Sequence, residues 1–228
     1  MKHHNKLIVA LDFENKYKAL QSVDHLRSDV KLFKVGLELF SACGPEIVAD
    51  IIEKGCGVFL DLKFHDIPNT VEKAARAVSG LGALIFNVHA LGGLEMMKRA
   101  KGAAGDRSKV IAVTILTSTD ENALKKCGIN VNIEDEVINL AALAKEAGLD
   151  GVVASAKEAA RIRKELGKDF LIVVPGIRPV SAATDDQKRV ATPLEAIAAG
   201  ADYIVVGRPI TAAPDPAQAA RNILKELG

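Results

Sequence analysis

The segment VFLDLKFHD, residues 58–66, sets Asp61 and Lys63 two positions apart and Asp66 three further on. Alternate residues of an extended chain project from one face, so this carboxylate and this ammonium share a side of their strand. Burying a charge among apolar neighbours costs several kcal/mol unless it is paired. Asp61 and Lys63 therefore read as compensating groups in a dry or half-dry site; a structural ion pair at a strand end is the plainer alternative. Lys34 closes the run KLFKVG on the face opposite Phe33 and Val35, and Asp12 ends LIVALD. Taken singly, an aspartate before a helix is commonly an N-cap and a lysine at a strand end is commonly solvated. Taken together, fixed cations beside carboxylates can stabilise a localised negative charge, and a lysine can also deliver a proton to it.

A second set suits an anion. Pro175 opens a long segment, PGIRPVSAATDDQKRVAT (175–192), which carries Gly176, Arg178, Gln187 and Arg189. Long segments of this kind in compact domains are often lids. Further on, VVGRPI offers Gly207 for close backbone approach and the Arg208 guanidinium as a fork for phosphate. An arginine is ordinarily surface; its place in the last repeating unit is what singles this one out.

The elements that must position these groups follow from periodicity. Eight short apolar, β-branched runs recur, at 7–11, 32–35, 58–62, 84–89, 110–116, 151–154, 171–174 and 203–206. Helical spacing of Ala, Leu, Glu and Lys fills 15–28, 38–54, 69–81, 93–104, 134–147, 156–166, 193–199 and 215–227. Nearly continuous apolar strands alternating with helices require parallel pairing with both faces covered. Eight such units predict a single (β/α)8 barrel over residues 1–228. An open doubly wound sheet is the alternative, but no linker splits the chain and no G-x-G-x-x-G follows the first strand. Gly55, Gly82, Gly148, Gly167 and Gly200 each fall just past a helical stretch, where a left-handed residue is wanted. In a parallel barrel the chemistry gathers at the carboxyl ends of the strands, and loops after the seventh and eighth often hold phosphate.

Bulk composition narrows the partners. The chain has 30 Lys and Arg against 29 Asp and Glu, so its summed field offers no general pull on nucleic acid or an anionic membrane. Trp is absent, and two Tyr with seven Phe make a poor base-stacking surface. Cys43, Cys56 and Cys127 have no C-x-x-C spacing and read as small buried hydrophobes in a reducing, cytoplasmic setting. No apolar stretch reaches the length of a membrane span. His65 and His89 lack ligand spacing and are expected to be structural hydrogen-bond partners, while His3 and His4 lie in the N-terminal tail.

DLKFHDIPNT, residues 61–70, resembles the signature of the orotidine 5'-phosphate decarboxylase family in its bacterial form. LIVALD, KVGLELF, FNVHA, AVTILTS, PGIRP, the Gln187 segment and VVGRPI follow in that family's order across the chain. The resemblance implies a cofactor-free, metal-free decarboxylase of a pyrimidine nucleotide, working as a homodimer. Lys63 would protonate C6 after CO2 leaves, with Asp61 beside the substrate carboxylate. Lys34, Asp61, Lys63 and Asp66 would form an alternating charged array, Asp66 and Thr70 coming from a neighbouring subunit. Asp12 and Lys34 would bind ribose hydroxyls, Thr117 would contact the pyrimidine, and Gln187, Arg208 and the Gly207 backbone would grip the phosphate, with Arg178 in the same loop.

Two other readings stand beside this one. Magnesium-dependent 3-keto-L-gulonate 6-phosphate decarboxylases and hexulose phosphate synthases share the barrel and the D-x-K-x-x-D pattern, but carry a metal-binding glutamate where this chain has Lys34. An ammonium there repels a divalent ion, which seeks oxygens. A non-catalytic barrel that binds a phosphorylated ligand is the other, since fold does not guarantee activity; a mere binder has no need of charges set against the ring.

Overall fold

In the computed structural model, which describes residues 6–179 and 191–227, the eight apolar runs become eight parallel strands. They are β1 (Leu7–Ala10), β2 (Leu32–Gly36), β3 (Gly57–Phe64), β4 (Ile85–His89), β5 (Lys109–Val113), β6 (Gly151–Val153), β7 (Leu171–Val174) and β8 (Tyr203–Val206). Each pairs with its sequence neighbour, and β8 returns to β1 with Ile204 opposite Leu7, so the sheet closes on itself. The expected (β/α)8 barrel is the fold found.

Around it run α1 (Lys16–Leu26), α2 (Leu37–Cys43), α3 (Glu46–Glu53), α4 (Pro68–Gly80), α5 (Gly93–Ala104), α6 (Glu121–Lys126), α7 (Ile133–Glu146), α8 (Ala156–Leu166), α9 (Pro193–Ala198), α10 (Arg208–Thr211) and α11 (Pro216–Glu226). The single helix expected over 38–54 is two, α2 and α3. Gly44, at φ 67°, caps the first, and Pro45, which has no N–H to continue it, starts the second. The fifth strand stops at Val113 rather than Leu116, and Thr114 makes the last bonds to β6, its N–H and its hydroxyl both donating to the carbonyl of Val153. Residues 115–118 lie beyond the sheet, at the carboxyl end of the barrel. Short α6, capped by the Asp120 side chain, and α10 have too few turns to show a period. Cys56 is buried as expected, whereas Cys127 is exposed at the end of α6.

Strand parity sorts the core into two layers. Ile8, Leu32, Phe59, Ile85, Ile111, Val173 and Val205 point inward and fill the barrel. Val9, Phe33, Leu60, Phe86, Val110 and Val206, one step out of phase, pack under the helices. The same alternation sends Ala10, Lys34, Asp61 and Asn87 inward, one layer nearer the carboxyl end.

The opposite end is tied for stability. Asp150 and Asp202, each just before a strand, accept the N–H of Val110 and of Ile172 on the preceding strands. Arg163 of α8 donates to the carbonyls of Gly167, Lys168, Phe170 and Gly200 and to Asp202 at 2.6 Å, strapping the approach to β7 against the approach to β8. Replacing Arg163 by Ala strips partners from carbonyls that water reaches only in part. A loss of about 2 kcal/mol is expected, read as a lower urea midpoint; an unchanged midpoint would refute the strapping role.

Candidate active site

At the carboxyl end of the barrel lies a cavity of about 350 Å³, with Phe59, Val113 and Val205 among its apolar lining. Asp12, Lys34, Asp61 and Lys63 line it, as do Arg178, Gly207 and Arg208. Thr117, in the segment beyond β5, lines it too, beside an apolar patch of Ile115 and Val153. Asp66 and Thr70 are exposed and are not among its lining residues. Gln187 and Arg189 fall outside the described residues. The stems on either side of that segment meet, Arg178 N–H donating to the Ala191 carbonyl at 3.0 Å.

The charged side chains form a chain of contacts. Lys34 Nζ donates to Asp12 Oδ1 at 3.1 Å and lies 3.4 Å from Asp61 Oδ2. Lys63 Nζ donates to the other Asp61 oxygen at 2.7 Å. The order is therefore Asp12, Lys34, Asp61, Lys63, with Asp12 rather than Asp66 at the end of the array within one chain. Gly36 makes room for it: a Cβ there would stand 3.0 Å from Lys34 Nζ. Asp61 and Lys34 are nearly enclosed, with 13% and 12% of their side-chain surface exposed, while Lys63 keeps 29%.

Burial is the largest influence on Asp61 and pushes its carboxyl up, but Lys34, Lys63 and the hydrogen bonds from Lys63 and Asn87 together hold it below the ordinary carboxylate range. Burial likewise pulls Lys34 down most strongly, and Asp61 and Asp12 reverse this and raise it. Both groups stay charged through neutral pH.

Lys63 reaches Asp61 by a route that simple alternation does not describe. Phe59 and Leu60 pair with Ile85 and Phe86, but the next pair is Phe64 with Val88. Residues 61–63 thus stand against Asn87 alone, a bulge that ends the regular pleat. Lys63 takes φ 53°, the one positive φ outside glycine among the described residues, a conformation that costs about 1–2 kcal/mol. Asn87, fully buried, fills the gap: its side-chain oxygen accepts the Lys63 N–H at 2.8 Å and its amide donates to Asp61 Oδ1 at 2.6 Å. Asn87 was not singled out from sequence. Its signal was there, a polar residue at an inward position of the otherwise apolar run IFNVH. His65 and His89 lie ring against ring, with centroids 5.5 Å apart. Burial, with His65 and Lys63 nearby, keeps His89 below the usual imidazole range.

A closed (β/α)8 barrel with a charge-lined cavity at the carboxyl ends of its strands defines a barrel enzyme. Residues 5–223 match the model of the orotidine 5'-phosphate decarboxylase / HUMPS family. The orotidine 5'-phosphate decarboxylases of Geotalea daltonii and Geobacter sulfurreducens are 52% and 53% identical to this chain, each alignment covering 97% of it and 95% of the relative. The crystal structure of orotidine 5'-phosphate decarboxylase from Lactobacillus acidophilus superposes with a TM-score of 0.88 at 40% identity, over 98% of this chain and 99% of that one. The chain belongs to the orotidine 5'-phosphate decarboxylase / HUMPS family.

The electrostatics generate a titration test. Because Asp61 titrates below its unfolded value, its contribution to stability is fully present above about pH 3.9 and is lost as pH falls through the depressed value. Lys34→Ala removes the strongest attraction that opposes burial, so Asp61 should titrate higher in the variant, followed by the carboxyl ¹³C shift. A titration midpoint equal to the parent's would overturn this account of the site.

Proposed function

We propose that the chain decarboxylates orotidine 5'-phosphate to UMP and CO2, without metal or organic cofactor, as a step in pyrimidine nucleotide synthesis. The observation that carries the reading is the Lys34, Asp61, Lys63 contact chain at the mouth of a barrel of this family. The C6–CO2 bond breaks, the electron pair stays in the plane of the ring at C6, and Lys63 gives that carbon its proton. Solvent then restores the proton to Lys63, whose ammonium is partly exposed. No neighbouring carbonyl can delocalise such a carbanion, so preorganised positive charge must stabilise it. Asp61 holds Lys63 and sits where the departing carboxylate lies.

The rest of the nucleotide has matching groups. Asp12 and Lys34 take the ribose hydroxyls, Thr117 the pyrimidine edge, and Arg208, the Gly207 backbone, Arg178 and Gln187 the phosphate end. Binding energy from the phosphate can support loop closure over the reacting carbon. Asp66 and Thr70 are exposed, with Ile67 65% exposed between them. Such a disposition suits side chains supplied to a second copy's cavity in a cytoplasmic homodimer. An ammonium at position 34, already bonded to Asp12 and facing Asp61, favours this chemistry over the magnesium-dependent one.

Three measurements test the reading. Ultraviolet absorbance of orotidine 5'-phosphate should fall on adding the protein, equally with and without a chelator, and a strict need for magnesium would overturn the assignment. Lys63→Ala should abolish the fall while UMP still binds. Arg208→Ala should lower kcat/KM about a hundredfold, roughly 3 kcal/mol; an unchanged value would remove Arg208 from the phosphate grip.

A further inference from the structure

We infer that Asn87 is a positioning residue for this chemistry, the clamp that fixes Asp61 and the backbone of Lys63 to each other. The inference rests on the decarboxylase reading for its kinetic consequences but on geometry for its existence. Asn87 is fully buried and does not line the cavity, so it acts through its two partners rather than on a ligand.

The chemistry of those partners fixes which way the carboxamide faces. The ionised Asp61 carboxylate only accepts hydrogen bonds, so the NH2 group must face it; the Lys63 backbone N–H only donates, so the carbonyl oxygen must face that. A flipped amide would fail at both. Few side chains meet the double demand. Leucine of similar size leaves both partners unmet, and a carboxylate sets like charge against Asp61.

Two consequences follow for the reacting groups. Asp61 Oδ1 receives both Asn87 Nδ2 at 2.6 Å and Lys63 Nζ at 2.7 Å, so its rotation is fixed by a donor that takes no part in the reaction. Lys63 is held in its left-handed conformation by the bond to its N–H, opposite the register break from Leu60 to Phe64. The same side chain thereby sets where the lysine starts and where its carboxylate partner lies. A displacement of about 1 Å in such a constellation can cost about a hundredfold in rate.

The experiment compares Asn87→Ala and Asn87→Asp with the parent. Asn87→Ala should lose about a hundredfold in kcat with KM within about threefold, and the acid limb of its profile should move to higher pH, because Asp61 has lost a donor. Asn87→Asp should behave in the opposite sense. When neutral, the new carboxyl group can donate its O–H to Asp61 and accept from the Lys63 N–H; when ionised, it can do only the second. Its activity should therefore recover as pH falls. A merely structural role would reduce the amount of folded protein without turning the two profiles in opposite directions. Should Asn87→Ala fail to fold, the recovery of Asn87→Asp on acidification carries the test alone. A kcat for Asn87→Ala within threefold of the parent, or parental pH profiles in both variants, would overturn the inference. If the parent itself leaves orotidine 5'-phosphate intact, the decarboxylase reading fails, and the clamp is then read without nucleotide. The Asp61 carboxyl ¹³C titration should move upward in the variant, and an unmoved titration overturns the clamp.

Discussion

Asp61 is held as a carboxylate between Lys34 and Lys63 in a place where burial alone would drive it to the neutral form. The dependence is mutual, since Lys34 is equally enclosed and keeps its charge through Asp61 and Asp12. Removing a middle member would leave its enclosed neighbour with only part of its compensation, Asp61 with Lys63 and Asn87 or Lys34 with Asp12 alone, and partly compensated buried charge costs more than an exposed ion pair is worth. The side chains must therefore be delivered by a rigid frame. Adjacent strands β2 and β3 supply it, with Gly36 in register with Asp61 and lacking the Cβ that would crowd the Lys34 ammonium.

The frame also carries a local cost. A regular β3 would continue to pair with β4 residue by residue; instead it bulges against Asn87 and bends Lys63 into a conformation that lysine seldom adopts. Such distortion persists because the strands on either side over-determine it. Packing in the layer below, led by Phe59, Ile85 and Ile111, and the Asp150, Asp202 and Arg163 bonds at the far end supply stability away from the cavity. Chemistry and stability thus occupy opposite ends of the same strands.

How much of this was legible in the residues divides along physical lines. Strand count, strand order and the barrel were readable because a buried parallel strand must be apolar on both faces and its return must be helical. The 38–54 segment misled because its apolar spacing runs through Gly44 and Pro45, and the backbone break outweighs the periodicity. Asp61 and Lys63 were found for a reason only partly right. Spacing of two implies a shared face on a pleated strand, but the contact is made through a bulge, which depends on tertiary pairing with β4 and leaves no local mark. Asn87 is legible by parity, as a polar residue at an inward position of an apolar run, but a carboxamide carries no charge to mark it as part of a reacting set. Asp66 and Thr70 could not be tied to the cavity from a single chain, since nothing in the spacing of residues 61–70 says which molecule they face.

Position 34 shows how one residue can separate two chemistries on a shared barrel. With Asp12 and Asp61 on either side, a glutamate at this point would bring a third carboxylate into a partly desolvated cavity. Three converging carboxylates repel one another, and the state of lowest free energy is the one that takes up a divalent cation, whose preferred ligands are oxygens. Lysine reverses the local balance. Its ammonium does for Asp12 and Asp61 what the ion would do, through bonds fixed by the strand instead of an exchangeable ligand. The positive charge so installed cannot polarise two substrate oxygens at once as a coordinated metal can, but it needs no reorganisation when negative charge develops nearby. A reaction whose difficulty is a localised carbanion with no oxygen to share it gains from the second property and has little use for the first, and it is at this residue, more than in the D-x-K-x-x-D pattern common to both chemistries, that the sequence favours the decarboxylation proposed.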